Sequence, residues 1–214
     1  MKLQLRHHTS AVAFLILGNA LFAAPDEPST PFRLDVESGT ASFESATNMP
    51  GIDVKGKSSS LSAHVDVASS TKGLMLRSIE AIVPVKTLAT GMKVRDEHMR
   101  KYIFTTADGQ TPDIRFEANS AECQAPTGSH DFNCKVPGTM TIRGTSHAVE
   151  LNLQAKQQSG SAYRVTGDSV IKLSDFAITP PSQFGVTPAN EVKIRLEFSA
   201  KTKLPITSSS TGGR

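Results

Sequence analysis

What this chain lacks narrows its chemistry first. It has no apolar run long enough to cross a bilayer as a helix: residues 11–17 are apolar but are followed at once by Gly18 and Asn19, whereas a span needs about 20 such residues. No nucleophile elbow, phosphate-cradling glycine loop or spaced set of metal ligands is present, so no catalytic residue, metal ligand or cofactor is expected. Cysteine is nearly absent, with only Cys123 and Cys134, and neither follows the N-terminal apolar run, so nothing supports a lipid-modified N-terminus. An excess of one charge is also missing. The 23 basic residues against 20 acidic ones fall to 21 against 20 if residues 1–24 are removed, since those contain Lys2 and Arg6 and no acid. Nucleic-acid binding, which needs a clustered excess of Lys and Arg to neutralise phosphates, loses its support.

Residues 1–24 have the pattern of a secretory leader: a basic start, an apolar stretch and small residues through Ala23 and Ala24 before Pro25. The expected product is a bacterial periplasmic or secreted chain with no membrane span after cleavage; an uncleaved anchor is the competing reading. A linker at residues 25–31, a single domain at residues 32–204 and a disordered Ser/Thr/Gly tail at residues 205–214 complete the expected organisation. In an exported chain Cys123 and Cys134 predict a disulfide, and the strands around them place the pair near the base of a hairpin. Two reduced thiols, or a metal pair helped by His130, are the alternatives.

Most of the chain alternates apolar and polar residues with period two. Phe32, Leu34 and Val36; Leu61, Ala63, Val65 and Val67; Ile79, Ala81, Val83 and Val85; Val149, Leu151 and Leu153; and Val192, Ile194, Leu196, Phe198 and Ala200 each mark a strand with one buried and one wet face. His64 falls on a wet face. Gly39 and Gly56 suggest bulges, and Pro84 suggests a strand end. The pattern predicts eight to ten antiparallel strands joined mostly by short turns. Closing such a meander removes its exposed edges, so an all-β fold, an antiparallel up-and-down β-barrel, is favoured over an open sheet, with a two-sheet sandwich as runner-up. A barrel of this size is either filled by its apolar alternates or holds one small ligand. Met75, Met92, Met99 and Met140 suit an adaptable lining for a flexible chain, or plain core filling.

Residues 91–104 break the alternation. Here Arg95, His98, Met99 and Tyr102 recur at helical spacing and share one face, while Asp96 with Arg100 and Glu97 with Lys101 form acid-before-base pairs expected on the wet side. Arg95 and His98 either bind a polar ligand head or satisfy carbonyls and lock the helix to the barrel. A catalytic reading would need Asp96 to orient His98, and residues two apart on a helix do not face each other.

Three blocks, RDEHMRKYIF followed by PDIRFEA, VPGTMTIRGTSHAVELNL, and LSDFAI with the last alternating strand, together resemble the YceI-like family of polyisoprenoid-binding proteins. The resemblance implies an extended lipocalin-like barrel with one or two short inserted helices, exported in bacteria, without known catalysis, and with an apolar interior for an isoprenoid lipid or quinone. Positions matching the family pattern are Arg95, Asp96, His98, Met99, Phe104, Phe116, Gly138, Thr141, Gly144, Thr145, Asp175 and Phe176. Leu173, Ala177 and Phe32 depart from it, standing where the family usually has Arg, Gly and Trp or Tyr. The candidate ligand-binding set is Arg95, His98, Met99, Tyr102, Phe104, Phe116, Met140 and Phe176. A homodimer is left open, and a ligand-free envelope barrel using residues 179–190 to bind a protein is the alternative function.

Overall fold

The computed structural model describes residues 32–70, 73–126, 131–158 and 162–203. The expected leader, linker and tail, and His130, lie outside these.

Ten strands form one sheet in which every strand pairing is antiparallel. They are β1 Phe32–Ala46, β2 Asp53–Ser58, β3 Ser62–Ser70, β4 Gly73–Val83, β5 Ile114–Ala118, β6 Ala121–Gln124, β7 Phe132–Ile142, β8 Thr145–Gln157, β9 Ala162–Lys172 and β10 Glu191–Lys203. The short pairs β2 with β3, and β5 with β6, each act as one interrupted stave. β1 pairs with β3 along residues 32–35 and with β2 along residues 41–46, while β4 pairs with β5 and then with β6. Eight staves result, and β10 returns to pair with β1 from Arg33↔Lys203 to Glu44↔Lys193, closing the barrel. The runner-up sandwich is excluded by that seam.

Local chemistry explains the details. β1 is one strand with its irregularity between Val36 and Ser38, not at Gly39. Gly56 lies in an unbroken register with Phe43, and a Cβ there would come within 2.6 Å of the Phe43 ring, so the glycine makes room for an aromatic and does not mark a bulge. Pro84 ends β4, so Val85, which the alternation assigns to the same strand, begins a 3-10 turn instead. The β7–β8 turn places Arg143 and Gly144 both at positive φ, the backbone that matches the twist of a two-residue hairpin.

The insertion between β4 and β5 begins with a 3-10 turn at Val85–Thr87, continues as α1 Lys93–Met99 and ends in a wider π-type turn, Arg100–Phe104. It lies at the end of the barrel defined by Val83 and Ile114. The opposite end is packed solid: Val67, Val136 and Cys123 are almost wholly buried, with Leu76, Ala121 and Cys134 beside them. Cys123 and Cys134 are direct cross-strand neighbours on β6 and β7, with Cα atoms 4.2 Å apart, and form a disulfide.

That bond staples the solid end of the barrel, where β6 has only four residues of its own. Replacing both cysteines together, C123A/C134A, is expected to lower stability by about 3 kcal/mol, the chain-entropy cost for a loop of this size. Urea unfolding with and without reductant checks this: reductant should shift the wild-type midpoint and leave the double variant unchanged.

Candidate functional site: an apolar cavity beneath the inserted helix

The inward alternates of β1, β4, β5, β7, β9 and β10 do not meet at the helical end of the barrel. They enclose a cavity of about 800 Å³, within the range of roughly 300–1,000 Å³ typical of small-molecule sites. Its walls are Ala41, Phe43, Ala81, Phe116, Met140 and Leu196 with their neighbours, and the helical insertion covers one side. Phe116 is accommodated by Gly138 on the paired strand, where a Cβ would fall 2.4 Å from the ring. The barrel is therefore filled at one end and hollow at the other.

The inserted segment is fixed by polar bonds. Thr90 donates from its backbone N–H and its hydroxyl to Asp96 Oδ1 at 2.6 and 2.5 Å. Arg95 in turn donates from Nε to the Thr90 hydroxyl and from Nη2 to the Thr90 carbonyl, both at 2.8 Å. Asp96 is thus buried and not on the wet side as the helical pattern suggested. The reason is its position in the first turn, where it reaches back to cap the loop before the helix. Arg100, also expected on the wet side, is half-buried and reaches the Leu88 carbonyl at 3.3 Å, whereas Glu97 and Lys101 are exposed. Ala89 exchanges two backbone bonds with Lys57 of β2, and Ser58 bonds Thr87 at 2.6 Å, tying the insertion to the opposite wall. Arg143 clamps the other side, donating to the carbonyls of Tyr102 at 3.4 Å and Ala177 at 2.6 Å.

Of the candidate ligand residues, Arg95, His98, Met99, Tyr102, Phe104, Phe116 and Met140 all lie on the cavity wall. His98 packs edge-on against Tyr102, with ring centroids 5.4 Å apart, near the mouth. Phe176 does not reach the wall. It is fully buried in a 3-10 turn, Leu173–Phe176, against His147, whose Nε2 lies 3.6 Å from Asp175. Of the methionines, Met92, Met99 and Met140 line the cavity, whereas Met75 sits between the inward Leu74 and Leu76 on the other face. Sequence reading missed the contribution of Ile52, Val94 and residues 181–188 to the mouth. The available signal was a Phe in a loop without charge.

The wall asks for little hydrogen bonding. Ser45 sits within 3.2 Å of the carbonyls of Ala46, Ala189 and Glu191, and Thr90 and Arg95 are engaged with each other. Among the described residues no buried side-chain nitrogen or oxygen is left unpaired. Such a site rewards apolar surface and offers polar contacts only near its opening.

Two substitutions check how the site is held. Asp96→Ala leaves the Thr90 N–H and hydroxyl without their acceptor and loosens the Thr90 oxygens that Arg95 holds, with an expected loss of about 2 kcal/mol in urea unfolding. Ala177 is exposed and has φ of +55°, the left-handed backbone that favours glycine. Ala177→Gly should therefore raise stability by about 0.5–1 kcal/mol, visible as a higher thermal midpoint.

The family model of the YceI-like domain matches residues 32–200. A solved polyisoprenoid binding domain from Saccharophagus degradans, implicated in plant cell wall breakdown, superposes with a TM-score of 0.58 at 14% identity, covering 79% of this chain and 98% of that one. Burkholderia cenocepacia BcnA gives 0.54 at 20% identity, over 76% of this chain and 96% of that one. The Campylobacter jejuni YCEI protein gives 0.56 at 20% identity, over 73% and 90%. The curated proteins contain no match.

Proposed function

This chain belongs to the YceI-like domain family, and on that premise we propose that it is an exported binding protein that holds an isoprenoid lipid in the hollow end of its barrel. The observation that carries the reading is the apolar cavity of about 800 Å³, in whose wall Ser45, Thr90 and Arg95 are already engaged by the protein's own groups. An isoprenoid tail gains by leaving water for such a wall, at roughly 25 cal/mol for each Å² of apolar surface buried. The similar Saccharophagus degradans domain, described as polyisoprenoid binding, supports the ligand class. The buried disulfide and the leader-like N-terminus support export, since disulfides persist in oxidising compartments.

The mouth suggests which head group fits. Arg95, the cation on the wall, is committed to Thr90, and the adjoining groups are the His98 and Tyr102 rings. Within the wall a neutral ring such as a quinone is matched better than a pyrophosphate, which would have to reach out to Lys93 or Lys101 at the rim for a free cation. The role is carriage or sequestration of the lipid.

Native mass spectrometry of gently purified protein should show an added mass that denaturation releases as an isoprenoid or quinone. A consistently empty barrel would sink the reading in favour of a ligand-free interaction module. Ala81 faces the cavity between its strand partners Ala63 and Phe116. Ala81→Phe is expected to fill the space, keep the thermal midpoint at or above that of the wild type, and cut occupancy by about tenfold or more, equivalent to 1.4 kcal/mol of lost affinity.

A further inference from the structure

The rim of the cavity is built to sit on a lipid surface. Seven large apolar side chains are exposed among the described residues, and six of them, Met49, Ile52, Met92, Val94, Tyr102 and Phe184, belong to the three segments that surround the mouth. The seventh, Val170, is on β9 and away from the mouth lining. Five of the six also line the cavity, so the apolar wall runs without a break from the interior to the outside.

Charge is missing from the same face. One residue in five of the chain is charged, yet residues 47–52 and 179–190 contain no Asp, Glu, Lys, Arg or His, and residues 88–94 contain only Lys93. On the charged helix that leads to Tyr102, Asp96 is buried and Arg95 and Arg100 bond backbone carbonyls, which leaves Glu97 and Lys101 as its other exposed charges. Solvated loops of this length are rarely so bare. The cations that do occur lie beside the apolar groups: Lys93 between Met92 and Val94, and Lys101 with its ammonium 5.3 Å from the Tyr102 ring centre. A tyrosine and flanking lysines around an apolar patch is the arrangement of an interfacial anchor, where long basic side chains reach lipid phosphates while the apolar groups enter the acyl boundary.

The rim is also held rigidly in this pose. Gln183 and Val186 exchange two backbone bonds of 2.9 Å, so that Phe184 and Gly185, both at positive φ, form the turn between them. A bulky residue in the left-handed region is strained, yet Phe184 is 92% exposed, and no packing in this structure recovers that strain. Asn48 ties the two uncharged loops together, donating from Nδ2 to the Gly185 carbonyl at 2.9 Å and accepting from the Thr187 N–H at 2.8 Å.

We propose that this rim docks on the surface of a phospholipid bilayer, with Phe184, Val94, Met92 and Ile52 entering the headgroup boundary and Lys93 and Lys101 reaching phosphates, so that the cavity opens directly into the lipid phase. This goes beyond the cavity reading, because docking needs no isoprenoid.

The chain contains no tryptophan, so a single Phe184→Trp reports from the rim alone. With phosphatidylethanolamine/phosphatidylglycerol vesicles free of isoprenoid, its emission should shift to the blue and be quenched by brominated acyl chains, while Val170→Trp shows neither. Val94→Asp with Phe184→Asp should lower vesicle flotation by about tenfold or more, and Val170→Asp should not. An unshifted Phe184→Trp, an equal shift at Val170→Trp, or a shift that follows protein concentration without vesicles overturns the proposal, the last in favour of a second copy on the rim. Cavity occupancy is read separately, by native mass spectrometry of the wild type, so failure of docking and failure of the cavity reading are told apart.

Discussion

The pairing of β1 with β10 is the constraint on which the rest depends. It joins the two ends of the described chain, from Arg33↔Lys203 to Glu44↔Lys193, and so turns a meander of hairpins into a closed wall. Without it the sheet would have two long edges with unpaired backbone groups, and its inward alternates would have no opposing face. Every other stave is joined to a neighbour close in sequence and can pair locally. The seam alone demands that the whole meander be in register, which makes it the most expensive contact in chain entropy. Its β10 residues Val192, Ile194, Leu196, Phe198 and Ala200 offset that cost by burying one unbroken apolar face.

Closure fixes a circumference, and the side chains decide how much of the interior is filled. At the solid end, branched residues such as Val67 and Val136 are fully buried in one cluster with the disulfide-bonded Cys123 and Cys134 of β6 and β7. At the other end the staves carry Ala41, Ala81 and glycines such as Gly138 and Gly56, which leave space or receive a single aromatic ring. Burial of Val85, Leu88 and Phe104 seats the insertion on the barrel, and the mouth still has to be held in shape around empty space. Directional polar bonds do that: the Thr90, Asp96 and Arg95 clamp, Ser58 with Thr87, Arg143 across the exit of the helix, and Asn48 between the two uncharged loops. All of these bonds run between the protein's own groups, so none of them needs a ligand to form.

The sequence made the strands legible because period-two alternation is a direct record of one wet and one dry face. Cys123 and Cys134 were legible as a pair for the same reason, since the strands around them placed both at one hairpin. The helix stood out by its change of period, and the face holding Arg95, His98, Met99 and Tyr102 does line the cavity. Asp96 was misplaced because helical periodicity describes side-chain direction along a regular element and says nothing about an acid reaching back to the preceding loop. Phe176 was carried into the candidate set by resemblance, whereas the turn that holds it points it into the packed shoulder by His147. Nor did alternation distinguish a filled interior from a hollow one. The inward residues are apolar in both cases, and the difference lies in summed volume across the axis, which only the closed geometry reveals.

A hollow end also couples ligand and stability. The wall side chains that face the cavity lack partners on one side and forgo the dispersion contacts that close packing supplies. A ligand filling the space restores them in the folded state only, so binding stabilises the fold by an amount that grows with the logarithm of ligand concentration over its dissociation constant. On the proposed carrier reading the barrel has to survive an empty state between loading and release, and the solid end with its disulfide is the part whose packing needs no ligand. One end thus supplies permanence and the other exchange, and the seam between β1 and β10 runs through both, so that neither can be altered in circumference without the other.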